Sequence, residues 1–372
     1  MHACQGPTEP EDSALIILHC EEGCNFKVKV SRLDTSLIVP LDSLMLKTGQ
    51  TAKFDIPVKE PGFYLITYPE SGRRLVVLHP GDNLKGKITA HSGIIFSGGV
   101  ENDYYQQFVF FLDTLRLKTD SLIAVLDAAR YTGNYAEQLK FFDSTLLTFR
   151  QQARTKAIQY LQQHPQALSQ ILVMNALPAQ QALFMGLADS SWFYYTDSTL
   201  GVYFPDNEHR LMHHNRVQHL RQLARAENQA KKQLQQGSFA PEISLPDFSD
   251  RIKSWHSLKG KPVLLYFWAP VDAPSRQTNA KLKQIFEDKS LPSFNVYAIA
   301  FDELPDRWKA AVNLDKIWWT NVIDTLGERS PLRRQYLIKR LPVMILLDEQ
   351  GRIKQRFLSA DAFKTYLENQ RQ

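Results

Sequence analysis

Apolar residues follow three different rhythms along this chain. From residue 13 to about 100 the period is two. "SALIILHC" is an apolar run of strand length, and "NFKVKVS" alternates strictly, with Phe26, Val28 and Val30 on one face. "TAKFDIPV", "GFYLITYP", "RRLVVLHP" and "LKGKITA" repeat the theme between Gly and Pro punctuation, which predicts a small all-β sandwich or barrel. "CEEGC" between the first two strands supplies a three-residue, Gly-containing turn and predicts a hairpin.

Near residue 101 the period changes to that of a helix. Phe108, Phe111, Leu112, Leu115, Leu122, Val125 and Leu126 fall on helical spacing, and the pattern continues to about Gln236. Gly237 and the prolines of "GSFAPEISLPDFSD" end that segment. Beyond them strands and amphipathic helices alternate: "KPVLLYFWAP", "SRQTNAKLKQIFEDK", "FNVYAIAFD", "PDRWKAAVN", "WWTNVID", "LPVMILLDEQ", "GRIKQRFLS" and "ADAFKTYLENQ". This order predicts an α/β thioredoxin-like domain closed by a hairpin around "DEQG". The domain reading is therefore a tether at 1–12, a β-rich domain at 13–100, a helical connector at 101–236 without chemistry of its own, and a thioredoxin-like domain at 237–372.

Composition changes this picture little. The 372 residues are 44% apolar and 22% charged, as in ordinary globular chains. A net charge of +5, spread among acids, does not suit a nucleic-acid binder. No apolar run reaches the ~18 residues that span a bilayer. The N-terminal "MHACQGPTEPEDS" is similar to the end of a bacterial lipoprotein signal, with Cys4 the acylated residue and a Pro- and acid-rich tether after it. That similarity implies a membrane contact through a lipid anchor. Cys20 and Cys24 are the only other cysteines, an even pair that suits one local disulfide in an oxidising compartment. A structural bridge is favoured over a redox couple, because this turn has no helix N-terminus to lower a thiol pKa. His209 and His213 stand at i, i+4 and could chelate a metal, but they line up with Val217 and Leu220, which favours a buried helix face. No metal or cofactor is expected.

Residues 239–372 resemble the TlpA/ResA-like thioredoxin family. The likeness is carried by "APEISLPD", "LKGKPVLLYFWA", the segment around Trp308, Trp318 and Trp319, Tyr336 ahead of Leu341-Pro342, and "LLDEQGRI". Residues 13–100 more loosely resemble a β-rich domain that precedes such domains in Bacteroidota envelope proteins, through "LHPGDNLKGKI" and "FSGGVENDYY". The resemblance implies a secreted, membrane-tethered protein on the periplasmic or cell-surface face of the outer membrane, a cis Pro342, and a C-x-x-C motif after Phe267-Trp268-Ala269. Those two positions hold Asp272 and Ser275, and Tyr266 stands where many thioredoxins carry an acid. Asp272 reads as a helix N-cap and Ser275 has no visible His-Asp support. The expectation is a redox-inactive envelope lipoprotein, not an enzyme, whose thioredoxin-like domain binds or scaffolds an envelope protein or extended peptide. The alternative is a thiol–disulfide oxidoreductase or related redox-homeostasis protein using Cys20/Cys24 or a partner's cysteines.

Overall fold

A computed structural model describes residues 12–68, 72–89, 93–178 and 181–370; Cys4 and the tether before Asp12 lie outside them. The contact pattern divides the chain into two compact units, up to Arg221 and from Gln222 onward.

The first unit opens with eight strands: β1 (Ser13–Glu22), β2 (Asn25–Leu33), β3 (Ile38–Lys47), β4 (Thr51–Pro57), β5 (Gly62–Tyr68), β6 (Gly72–Leu78), β7 (Asn83–Thr89) and β8 (Gly93–Ser97). They form two four-stranded sheets, ordered β4-β1-β7-β8 and β3-β2-β5-β6. Inward residues of both sheets, among them Ile16, Leu18, Val28, Val30, Phe54, Ile66 and Leu84, meet in one core, so this part is a β-sandwich. The hairpin expected at "CEEGC" is not formed. β1 pairs antiparallel with β4 and parallel with β7, whereas β2 pairs with β3 and β5. The turn instead carries the chain from one sheet to the other. The apolar sets of β1 and β2 both need the core, and facing sheets satisfy both. Gly23 takes φ of 73° in this crossing.

Five helices follow: α1 (Asn102–Ala129), α2 (Tyr135–Gln163), α3 (Gln170–Met174), α4 (Ser190–Tyr203) and α5 (Glu208–Gln233). They are fastened to the sandwich rather than strung beyond it. Phe63 and Val77 share a core with Leu168, Ile171 and Leu200. Glu101, 1% exposed, accepts hydrogen bonds from Leu168 N, Ser169 N and Ser169 Oγ at 2.6–2.8 Å and meets His79 Nε2 at 2.9 Å. Four polar contacts satisfy its buried carboxylate. Among the described residues no helix is long and apolar enough to cross a membrane.

The second unit takes the end of α5, a small hairpin β9 (Ser244–Pro246) and β10 (Ile252–Ser254), then β11 (Val263–Trp268), α6 (Ala273–Glu287), β12 (Asn295–Phe301), α7 (Pro305–Leu314), β13 (Thr320–Asp324), α8 (Pro331–Gln335), β14 (Val343–Leu347), β15 (Ile353–Phe357) and α9 (Ala360–Asn369). The sheet order is β13-β12-β11-β14-β15. β11, β12 and β13 run parallel; β14 is antiparallel to both β11 and β15. Cores lie on both faces: Leu264, Tyr266 and Trp268 point to one, Leu265 and Phe267 to the other. That explains why the strand reads as a continuous apolar run.

Candidate functional site

β11 ends at Trp268, and the chain turns into α6 through Ala269, Pro270, Val271 and Asp272. Because Phe267 pairs with Val343, Pro342 sits at the same end of the sheet as this turn, where β11 finishes and β14 begins. The Leu341–Pro342 bond is cis.

Asp272 is the N-cap of α6, in extended conformation, followed by Pro274 in the first turn. Its Oδ2 accepts from Ser275 N at 2.8 Å and from Ser275 Oγ at 2.6 Å. Ser275 is wholly buried, and its Oγ also accepts from Ala269 N at 3.3 Å. Tyr266 OH donates to Ser275 O at 2.9 Å. Burial pushes the Tyr266 phenol well above its ordinary pKa, and the carboxylates of Asp272 and Asp315 push the same way, so it remains a donor. Trp268 is fully buried and stacks near-parallel to Tyr266 at 6.4 Å. Farther along α6, Arg276 forms a bidentate pair with Asp315, both bonds 2.6 Å, and Asn279 donates to the same carboxylate at 2.7 Å. The hydrogen bonds with Asp315 raise the Arg276 pKa. Asp315 caps the C-terminus of α7, so this pair locks the helix start to the next helix.

Sequence reasoning singled out Asp272, Ser275, Pro342 and Trp268, and the fold brings all four to one end of the sheet, where β11 finishes. It missed the Arg276–Asp315 pair. The partners are 39 positions apart, and no local spacing signals them. Chemically, the helix start offers a carboxylate and a hydroxyl engaged with each other and no sulfur. Oxygen nucleophiles cannot carry thiol–disulfide exchange.

The sulfur chemistry of the described residues lies in the first unit. Cys20 and Cys24 are joined as a disulfide with Cα atoms 6.3 Å apart, and both are buried. Thr48 Oγ1 accepts from Cys24 N at 3.0 Å, and Gly49 N donates to Cys20 O at 2.9 Å, fixing the crossing between the sheets. The exposed residues of the turn are Glu21, Glu22 and Gly23.

The two histidines on α5 go separate ways. His209 packs on Phe63 with ring centroids 4.4 Å apart. His213 Nε2 lies 3.2 Å from Phe193 O. Burial lowers the pKa of both. Among the described residues no group of three or more His, Cys, Asp or Glu could hold a metal ion.

A sheet of three parallel strands and an antiparallel pair, with a capped helix start and a proline loop together at one end of its central strands, defines a protein of the thioredoxin fold. Residues 260–353 match the family described as thioredoxin-like. The thioredoxin-like protein YneN of Bacillus subtilis is 30% identical over 124 residues, 32% of this chain and 70% of that protein. The chain belongs to the thioredoxin-like family. Among solved structures, the thioredoxin domain of a thiol-disulfide oxidoreductase from Bacteroides vulgatus aligns at 28% identity and a TM-score of 0.34, covering 37% of this chain and 99% of that one. A thiol-disulfide oxidoreductase from Bacteroides fragilis aligns at 29% identity and 0.33, covering 36% and 99%. Membership in the thioredoxin-like family corrects the expectation of a redox-inactive binding or scaffolding module and favours the thiol–disulfide alternative.

Proposed function

We propose that this protein serves thiol–disulfide redox homeostasis, with exchange carried by cysteines that do not lie at the start of α6. The observation that carries this reading is the bonded Cys20–Cys24 pair, the one sulfur couple among the described residues. In that exchange a substrate thiolate attacks one sulfur and forms a mixed disulfide. The second substrate thiolate then displaces the protein sulfur, leaving a substrate disulfide and two protein thiols. The pair is buried, so the crossing at Glu21–Gly23 must open first. Asp272 and Ser275 occupy the positions where the family resemblance implies cysteines, a departure that leaves the thioredoxin-like domain the role of docking an extended partner segment beside Pro342. A partner's cysteines brought there are the second source of exchange. An oxidising envelope compartment, with Cys4 as lipid attachment point, fits a stable disulfide.

The test is dithiol-driven reduction of a protein disulfide by the full chain and by its Cys20→Ser/Cys24→Ser variant. Acceleration lost in the variant assigns exchange to the protein's own pair. Acceleration retained in the variant, whose one remaining cysteine is Cys4, overturns the assignment to the Cys20–Cys24 pair. No acceleration by either protein overturns the proposal.

A further inference from the structure

The helices of the first unit hold a cavity of about 1000 Å³ that the redox reading does not use. Small-molecule sites ordinarily span ~300–1,000 Å³. Leu112 and Leu115 of α1, Leu146 and Phe149 of α2, Leu172 of α3 and Leu75 of β6 line it. Along α1 the lining runs from Tyr105 to Ile123, roughly 27 Å at 1.5 Å per residue. Tyr105, Phe108 and Leu115 are at most 5% exposed, whereas Ile123 and Leu147 are 43% and 68% exposed. The Tyr105 end is therefore closed, and the other end opens to solvent.

A buried tyrosine ordinarily spends its hydroxyl on a hydrogen bond. In the same helices Tyr160 OH meets Ser169 Oγ at 2.7 Å, and Tyr195 OH donates to Leu161 O at 3.4 Å. The Tyr105 hydroxyl has no such partner among the described residues, and the side chain lines the cavity. Burial holds the phenol well above its ordinary pKa, against a smaller opposing pull from Arg74, so it stays a donor. Arg74 is itself paired with Asp113 at 2.7 Å. The walls carry no surplus charge: Asp113, Asp120 and Asp143 are matched by Arg74 behind the wall and by Arg116 and Arg150 in it. Arg116 pairs with Asp120 at 3.2 Å, and Arg150 is held by Gln181 Oε1 at 3.3 Å and Ala182 O at 3.1 Å. An ionic group taken to the closed end would lose its water for no free counter-charge, whereas a neutral oxygen would meet a waiting donor.

We propose that this cavity binds an uncharged, elongated apolar molecule with an oxygen at one end, a long-chain alcohol or ketone by class, whose oxygen accepts from Tyr105 OH while its chain lies along Leu112, Leu115 and Leu146 toward Ile123. The helical segment, which by its sequence alone carries no chemistry, thereby holds a ligand site. The site is independent of the exchange proposed for Cys20 and Cys24.

The test uses the full chain and N-phenyl-1-naphthylamine, an uncharged probe whose fluorescence rises in apolar surroundings. Three competitors share one chain length: 1-tetradecanol, tetradecanoate and tetradecyltrimethylammonium, each kept below micelle formation. Tetradecanol should displace the probe at concentrations roughly fivefold lower, or more, than either ion. Tyr105→Phe should weaken tetradecanol roughly three- to tenfold, the worth of one neutral hydrogen bond, with unchanged circular dichroism. Thr119→Trp, which puts an indole into the cavity wall partway along α1, should abolish binding of probe and alcohol together. Equal displacement by the three competitors, none by tetradecanol, undiminished affinity in Tyr105→Phe, or alcohol binding that survives Thr119→Trp overturns the proposal. A wild-type dimer that Thr119→Trp converts to a monomer in sedimentation equilibrium would assign this face to a second copy of the chain and overturn it as well.

Discussion

Removing the Asp272 carboxylate should unfasten the start of α6 and destabilise the second unit by about 2–3 kcal/mol. The N-cap bond to Ser275 N, at 2.8 Å, contributes ~1 kcal/mol in typical caps. The carboxylate also sits at the positive end of a helix dipole, worth ~0.3–1 kcal/mol. Its bond from Ser275 Oγ, at 2.6 Å, is charge-assisted, and in Asp272→Ala the wholly buried hydroxyl loses its acceptor, at ~1 kcal/mol or more. Five of the six tryptophans, Trp255, Trp268, Trp308, Trp318 and Trp319, lie in this unit, so urea unfolding followed by tryptophan fluorescence reports mainly on it. With a slope of ~2 kcal/mol/M the midpoint should fall by ~1–1.5 M. Asp272→Asn keeps an acceptor and should lose less than half as much. Combining Asp272→Ala with Ser275→Ala should cost less than the two single losses added, since both remove the same bond. A midpoint shift for Asp272→Ala below ~0.3 M, or strict additivity in the cycle, would refute this account of the helix start.

Four further outcomes follow from other parts of the molecule. Asp272→Cys/Ser275→Cys should give a dithiol at a helix N-terminus, and thiol titration should find one pKa below the ordinary ~8.5, with dithiol-dependent reduction gained over wild type. Glu101→Ala should cost about 3 kcal/mol or more of first-unit stability in calorimetry, because it strands the buried donors at Leu168 and Ser169 and removes the partner of the part-buried His79. Gly86→Ala should cost ~1–3 kcal/mol by overpacking, since a Cβ there would meet Leu18 Cδ2 at 2.5 Å and Phe96 Cε1 at 2.8 Å. Burial depresses His209 and His213 below the ordinary 6.5, so the unfolded chain takes up protons first; first-unit stability should be full above about pH 6.5 and decline as pH falls below it, and His213→Gln should flatten the decline.

Much of the second unit was legible because its strands and helices each keep one period, and "KPVLLYFWAP" is apolar on both faces for a physical reason, two cores. The cap at Asp272 was legible too, since an N-cap is a local, three-residue event. The Arg276–Asp315 lock was not, because tertiary ion pairs leave no local trace. In the first unit the strands of strict alternation, such as β4 with Ala52, Phe54 and Ile56 inward, stood out. β3 did not: Pro40 and Asp42 break its pattern, and its pairing with β2 shifts register at Val30/Ser31. The partner of β1 was misjudged at "CEEGC" because turn chemistry signals a reversal of the chain and cannot say whether the next strand joins the same sheet.

The last turns of α5 lend themselves to a different kind of consequence, one for how such domains are passed between genes. The family likeness begins near Phe239, yet Leu234 packs against the core under β11 and β14, and Glu227 holds Lys339 of the loop before Pro342. A recombination break at Gly237 would copy every recognisable motif and leave behind side chains that the folded unit uses. The cooperative module is thus longer than the inherited signature, and transplants that start upstream of Glu227 should tolerate a new neighbour better than those that start at the glycine.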